Sequence, residues 1–146
     1  MEKCKGRLAL ISLIVLMLIP LLGSTALAGS IQVITGQGTP VDTIEDGAIK
    51  KIFLGKSKAW PNGSPVEFVV LKSGDAHDAF LKTFVKKSAS QFKTYWKKQV
   101  FTGKGKNPKS FASEKDLVAY VAGKTGAIGY VSSGTDIAGA KILIEK

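Results

Sequence analysis

The chain of 146 residues holds one cysteine, one histidine and one arginine, and Cys4 and Arg7 both lie close to the N-terminus. From residue 8 onward no thiol is present to form a disulfide, bind a metal or act as a nucleophile. His77 with scattered carboxylates is a poor donor set for zinc. Without a G-x-S-x-G elbow it does not point to a Ser-His-Asp triad either, so no catalytic residue is expected. Beyond Arg7 there is no forked donor for bidentate phosphate or guanine recognition, and nucleic-acid binding is not expected. After Leu22 no apolar run approaches the length of a membrane-spanning helix.

What is present at the start is basic Lys3, Lys5 and Arg7, an apolar run from Leu8 to Leu22 broken by Pro20, and Ala26-Leu27-Ala28 before Gly29. This is the three-part pattern of a secretory signal peptide, so residues 1–28 are expected to be removed and the protein to be periplasmic or secreted. A retained anchor is the alternative, but the run falls short of the roughly 20 residues that a spanning helix needs. Residues 29–146 suffice for one domain with one core. They carry 18 lysines against 10 acidic residues, a balance that attracts anions at a distance.

Ile31 to Thr35 is β-rich and ends in Gly36-Gln37-Gly38-Thr39-Pro40, so a strand and a turn are expected. Ile44, Ala48, Ile49, Ile52 and Phe53 recur at helical spacing, with Gly55 as a stop. Trp60 to Pro65, WPNGSP, is turn chemistry. VEFVVL, 66–71, reads as a largely buried strand, and a helix follows over 75–85. Ser88 with Gln91 makes a capping box for a helix that buries Phe92, Tyr95, Trp96 and Val100. Residues 101–108 form a loop. Ser113 opens another helix, with Leu117, Val118 and Val121 inward and Gly123 closing it. GAIGYV, 126–131, and KILIE, 141–145, complete an α/β pattern. Phe80, Phe84, Phe92, Trp96 and Ile128 are expected in one core.

Two features imitate chemistry. Gly123-Lys124-Thr125 resembles the end of a P-loop but closes a helix instead of opening one, so its N–H groups are not aimed at a phosphate. Lys82, Lys86, Lys87, Lys93, Lys97 and Lys98 read as solvated helix faces. LKSGDAHDAF, 71–80, has more to offer, because a strand-turn-helix with Gly74 in the turn can present backbone N–H groups to an anion. The competing account is a capped turn, with Asp75 as the N-cap occupying those donors and His77 half packed on the flank of the apolar face.

The segments KKIFLGK (50–56), WPNGSPV (60–66), HDAFLKTFVKKSASQFKTYWKKQVFTGKGKNPKSF (77–111) and GAIGYV (126–131) together resemble the small exported proteins classed with phosphate ABC transporter substrate-binding proteins. The resemblance implies a type 2 periplasmic-binding-protein-like α/β fold, here a single lobe with a mixed sheet flanked by helices. It also implies phosphate or another small oxyanion as ligand, no cofactor, and as partners an ABC transporter and a second lobe or copy to supply the other wall. The family's Gly-Ser-Gly-Thr loop falls on Ser73, Gly74, Asp75 and Ala76, so its two hydroxyl positions are glycine and alanine here. Asp75 stands where a neutral glycine would be. The family's upstream arginine has no counterpart near Val70, and Lys72 is the nearby cation. The ligand-binding residues that follow are Lys72, Ser73, Gly74, Asp75, Ala76 and His77, with weak binding expected. The alternative is an exported interaction module of the same fold that has lost the solute site and presents its lysine-rich helices to an anionic partner, such as an acidic protein or a membrane surface.

Overall fold

The computed structural model describes residues 29–146. Strand β1 is Ile31–Gly36, helix α1 Asp46–Phe53, β2 Glu67–Leu71, α2 Asp75–Phe80, α3 Ala89–Phe101, β3 Lys109–Phe111, α4 Glu114–Ala122, β4 Ala127–Ser132 and β5 Ala140–Glu145. The signal-peptide expectation, with Cys4 and the Leu8–Leu22 run, lies outside the described residues.

The strands form one mixed sheet in the order β3-β2-β4-β1-β5. β2 runs parallel to both β3 and β4, whereas β1 is antiparallel to β4 and β5. Successive residues of β4 point to opposite faces, which places the helices in two layers. On one face Gly129 lets α4 approach: a Cβ there would meet Leu117 Cδ2 at 2.6 Å. On the other face Tyr130 meets Phe53 of α1 and Phe80 of α2. Phe80, Phe84, Phe92, Trp96 and Ile128 share the core, as their apolar faces predict.

The capping box of α3 forms: Ser88 Oγ accepts from Gln91 N–H at 3.1 Å, and Gln91 Oε1 accepts from Ser88 N–H at 3.0 Å. Two expectations are corrected and two features are added. The helix expected over 75–85 is α-helical only to Phe80 and continues as a π-helical turn, Leu81–Val85, that keeps Leu81, Phe84 and Val85 buried. Val100 is exposed, because the last buried residue of α3 is Trp96. Lys109–Phe111, for which no element was expected, is a short strand paired in parallel with the edge of β2. Trp60, at the start of the WPNGSP turn, is buried, and its Nε1–H donates to the Gly126 carbonyl at 3.2 Å.

Candidate functional site

Past Leu71 the chain turns through Lys72, Ser73 and Gly74 into α2. Gly74 has φ 112° and ψ 169°, a conformation essentially restricted to glycine. That torsion makes Gly74 the N-cap, so the Asp75 cap is corrected: the turn is completed one residue earlier, and no side chain caps α2. Asp75 is exposed in the first turn. The N–H groups of Gly74, Asp75, Ala76 and His77 therefore donate to no protein acceptor among the described residues, and the first one used is that of Asp78, to Gly74 O at 3.0 Å.

The six candidate residues divide. Lys72, Ser73, Gly74 and Asp75 are exposed, whereas Ala76 and His77 turn inward. His77 is 4% exposed, more buried than the half packing expected, with Phe92 edge-on to its ring and Tyr130 stacked against it. Its Nδ1 lies 2.5 Å from Tyr130 Oη, which accepts the Leu71 N–H at 3.0 Å. Burial raises the pKa of the Tyr130 hydroxyl, so it keeps its proton. The nearest acceptor for that proton is Nδ1, which makes His77 the neutral Nε2–H tautomer. Burial also lowers the pKa of His77, against an opposing pull from Asp78.

Lys72 and His77 meet again in a groove of about 770 Å³ between β2, β3 and α3, where Lys93, Lys97, Asn107 and Ser110 also line the wall. Among the described residues no carboxylate lines it, so the groove is a positive surface over an aromatic floor of Phe92 and Trp96. Ser73, Gly74, Asp75 and Ala76 lie outside this lining. Lys93 and Lys97 stand four residues apart on α3, a spacing that puts them on one face and was visible in the sequence. That this face meets Lys72 was not. Lys124 of the false P-loop pairs with Glu67 beside the Tyr120 hydroxyl, and Gly123 is the C-cap of α4, so the triplet is structural.

No protein-family profile matches the chain, and no curated protein matches it. Among solved structures it is similar to a protein from Clostridium perfringens described as a phosphate ABC transporter substrate-binding protein and crystallised with bound phosphate. The TM-score is 0.61 at 22% identity, covering 80% of this chain and 45% of that one. It is also similar to PstS from Borrelia burgdorferi, with a TM-score of 0.60 at 14% identity over 79% of this chain and 46% of that one. An ABC-type phosphate transport receptor from Vibrio cholerae matches with a TM-score of 0.57 at 14% identity, over 80% of this chain and 47% of that one. The chain thus spans less than half the length of each. The fold is a single lobe of the periplasmic-binding-protein-like class, a mixed sheet flanked by helices.

Proposed function

We propose that this chain is an exported solute-binding lobe that holds phosphate or a related small oxyanion weakly at the turn between β2 and α2. The observation that carries the proposal is the row of uncommitted N–H groups from Gly74 to His77, next to Lys72, at the carboxyl end of a strand in parallel pairing. Such N–H groups carry the positive end of the local backbone dipole and favour an anion. Lys72 adds a full charge, and the Ser73 hydroxyl is within the same turn. A protein of similar fold holds phosphate. The apolar leader supports export, and the likeness to phosphate transport proteins supports an ABC transporter, with a second lobe or copy as the opposite wall, as partners.

Two features limit affinity. The hydroxyls of the family loop are replaced by Gly74 and Ala76, and the Asp75 carboxylate repels an oxyanion a few ångströms away. Titration calorimetry with phosphate, sulfate and chloride at equal ionic strength tests this. The parent should bind phosphate weakly, Asp75→Gly should bind about tenfold more tightly through loss of a like charge, and Lys72→Gln should bind less. Ala76→Thr added to Asp75→Gly restores a hydroxyl, with melting checked first because Ala76 is buried. Tight binding by the parent, or no gain in a folded Asp75→Gly protein, would place the site elsewhere.

A further inference from the structure

We infer that the lysine-rich side of this domain docks on an anionic lipid surface, with Phe101 at the end of α3 entering the interface. Between Asp78 and Glu114 there is no acidic residue, yet nine lysines run from Lys82 to Lys109. The ion pairs of the described residues use other lysines: Lys124 with Glu67, Lys141 with Asp42 and Lys146 with Asp46. Among the described residues none of the nine lysines from Lys82 to Lys109 pairs with a carboxylate, whereas three of the nine outside that stretch do, so the longest run of unpaired positive charge lies around α3. Lys87 and Lys109 lie over the rings of Tyr95 and Tyr120, which leaves their charge intact.

At the end of α3, within this block, Phe101 is 92% exposed and Val100 38%. Lys97 and Phe101 are four residues apart and share one face of α3, and Lys104 and Lys106 follow in the loop. α3 is held firmly enough to present that end: Tyr95 donates to the Leu54 carbonyl at 2.7 Å and Trp96 to the Phe53 carbonyl at 3.2 Å. A soluble polyanion would neutralise the lysines and leave the phenyl ring in water. A lipid interface accommodates both, with lysine heads among anionic headgroups and an aromatic ring at the acyl boundary. Among the described residues no helix is long and apolar enough to cross a membrane, so the contact is with the surface.

The test uses residues 29–146, which contain every described strand and the whole described core, with vesicles of phosphatidylglycerol and phosphatidylcholine. Binding is expected to the mixed vesicles and not to pure phosphatidylcholine. Phe101→Ser should lower partitioning about tenfold through lost apolar burial, and Lys97→Gln or Lys104→Gln about fivefold each. In a Phe101→Trp variant, emission from the new indole should shift to the blue on vesicle addition and be quenched by bromine-labelled acyl chains, since Trp60 and Trp96 are buried. Equal binding to neutral vesicles, or no vesicle binding, overturns the proposal. So does binding to inorganic polyphosphate that is unaffected by Phe101→Ser, with no blue shift on vesicles; that result would assign a soluble polyanion. The surface does not use the turn from Gly74 to His77, so this proposal and the oxyanion site fail independently.

Discussion

The phenol of Tyr130 lies flat on the ring of Phe80, centroids 3.8 Å apart and planes 3° apart, while its hydroxyl bonds both the Leu71 N–H and His77 Nδ1. One side chain of β4 thus joins the aromatic core to the end of β2 and the start of α2. The candidate turn is positioned by packing from beneath. Tyr130→Phe keeps the stacking and removes the hydroxyl, leaving two buried polar groups without a partner. Urea unfolding should show a loss of about 1–3 kcal/mol. An unchanged midpoint would mean that the hydroxyl does not organise the turn.

Acid should weaken the fold through His77. Its folded-state pKa lies below the ordinary 6.5 because burial disfavours the charged ring. Between those two values the unfolded chain binds more protons than the folded one, so stability rises with pH there. The contribution is complete above about pH 6.5 and is lost as pH falls through the folded value. Chemical denaturation of parent and His77→Gln over this range would measure it, with a shallower slope expected in the variant. A proton NMR titration of the one histidine should give a midpoint below 6.5; a midpoint above that value would contradict the buried neutral ring.

Trp96 closes the space between α1, α3 and the following loop. A Cβ on Gly105 would lie 2.9 Å from its ring, so Gly105→Ala should destabilise by forcing the indole to shift. Trp96→Ala should cost roughly 3–5 kcal/mol, the range for deleting a buried aromatic ring. If the alanine variant melts within a degree or two of the parent, this ring is not part of the core.

Removing the Ser88 hydroxyl should cost α3 about 1 kcal/mol, because the Gln91 N–H loses its acceptor at the first turn. Ser88→Asp, which restores an acceptor, should recover most of it. Thermal melts of the three proteins separate capping from a general effect of substitution.

Export with cleavage at Ala28 gives a product beginning at Gly29. Intact mass of the periplasmic or secreted fraction should match residues 29–146. A mass that includes Met1 to Ala28 would support a retained N-terminal anchor.

The helices α1, α3 and α4 were legible in the sequence because each has one apolar face and a chemical stop or start. Ser88 with Gln91 and Ser113 with the Asp116 N–H act within one turn, so local composition suffices to find them. The core residues Phe80, Phe84, Phe92, Trp96 and Ile128 followed from the same periodicity. β3 was not legible. Lys109-Ser110-Phe111 has no alternation long enough to mark a strand, and it is one because the edge of β2 offers unpaired backbone groups beside it. Trp60 sat in Pro-Asn-Gly turn chemistry, and its burial depends on the Gly126 carbonyl 66 residues away.

At the candidate site, residue types and chain order determined the strand, the glycine turn and the helix that follows. Whether Asp75 or Gly74 capped that helix rested on a backbone torsion, and either choice suits the same letters. The Leu71 and His77 contacts of Tyr130, and the meeting of Lys72 with Lys93 and Lys97, were decided by the tertiary structure alone. Periodicity, capping and turn chemistry act over a few residues and leave a local imprint. A hydrogen bond or a shared groove between distant segments leaves none, because the sheet order and the packing of α3 bring the partners together.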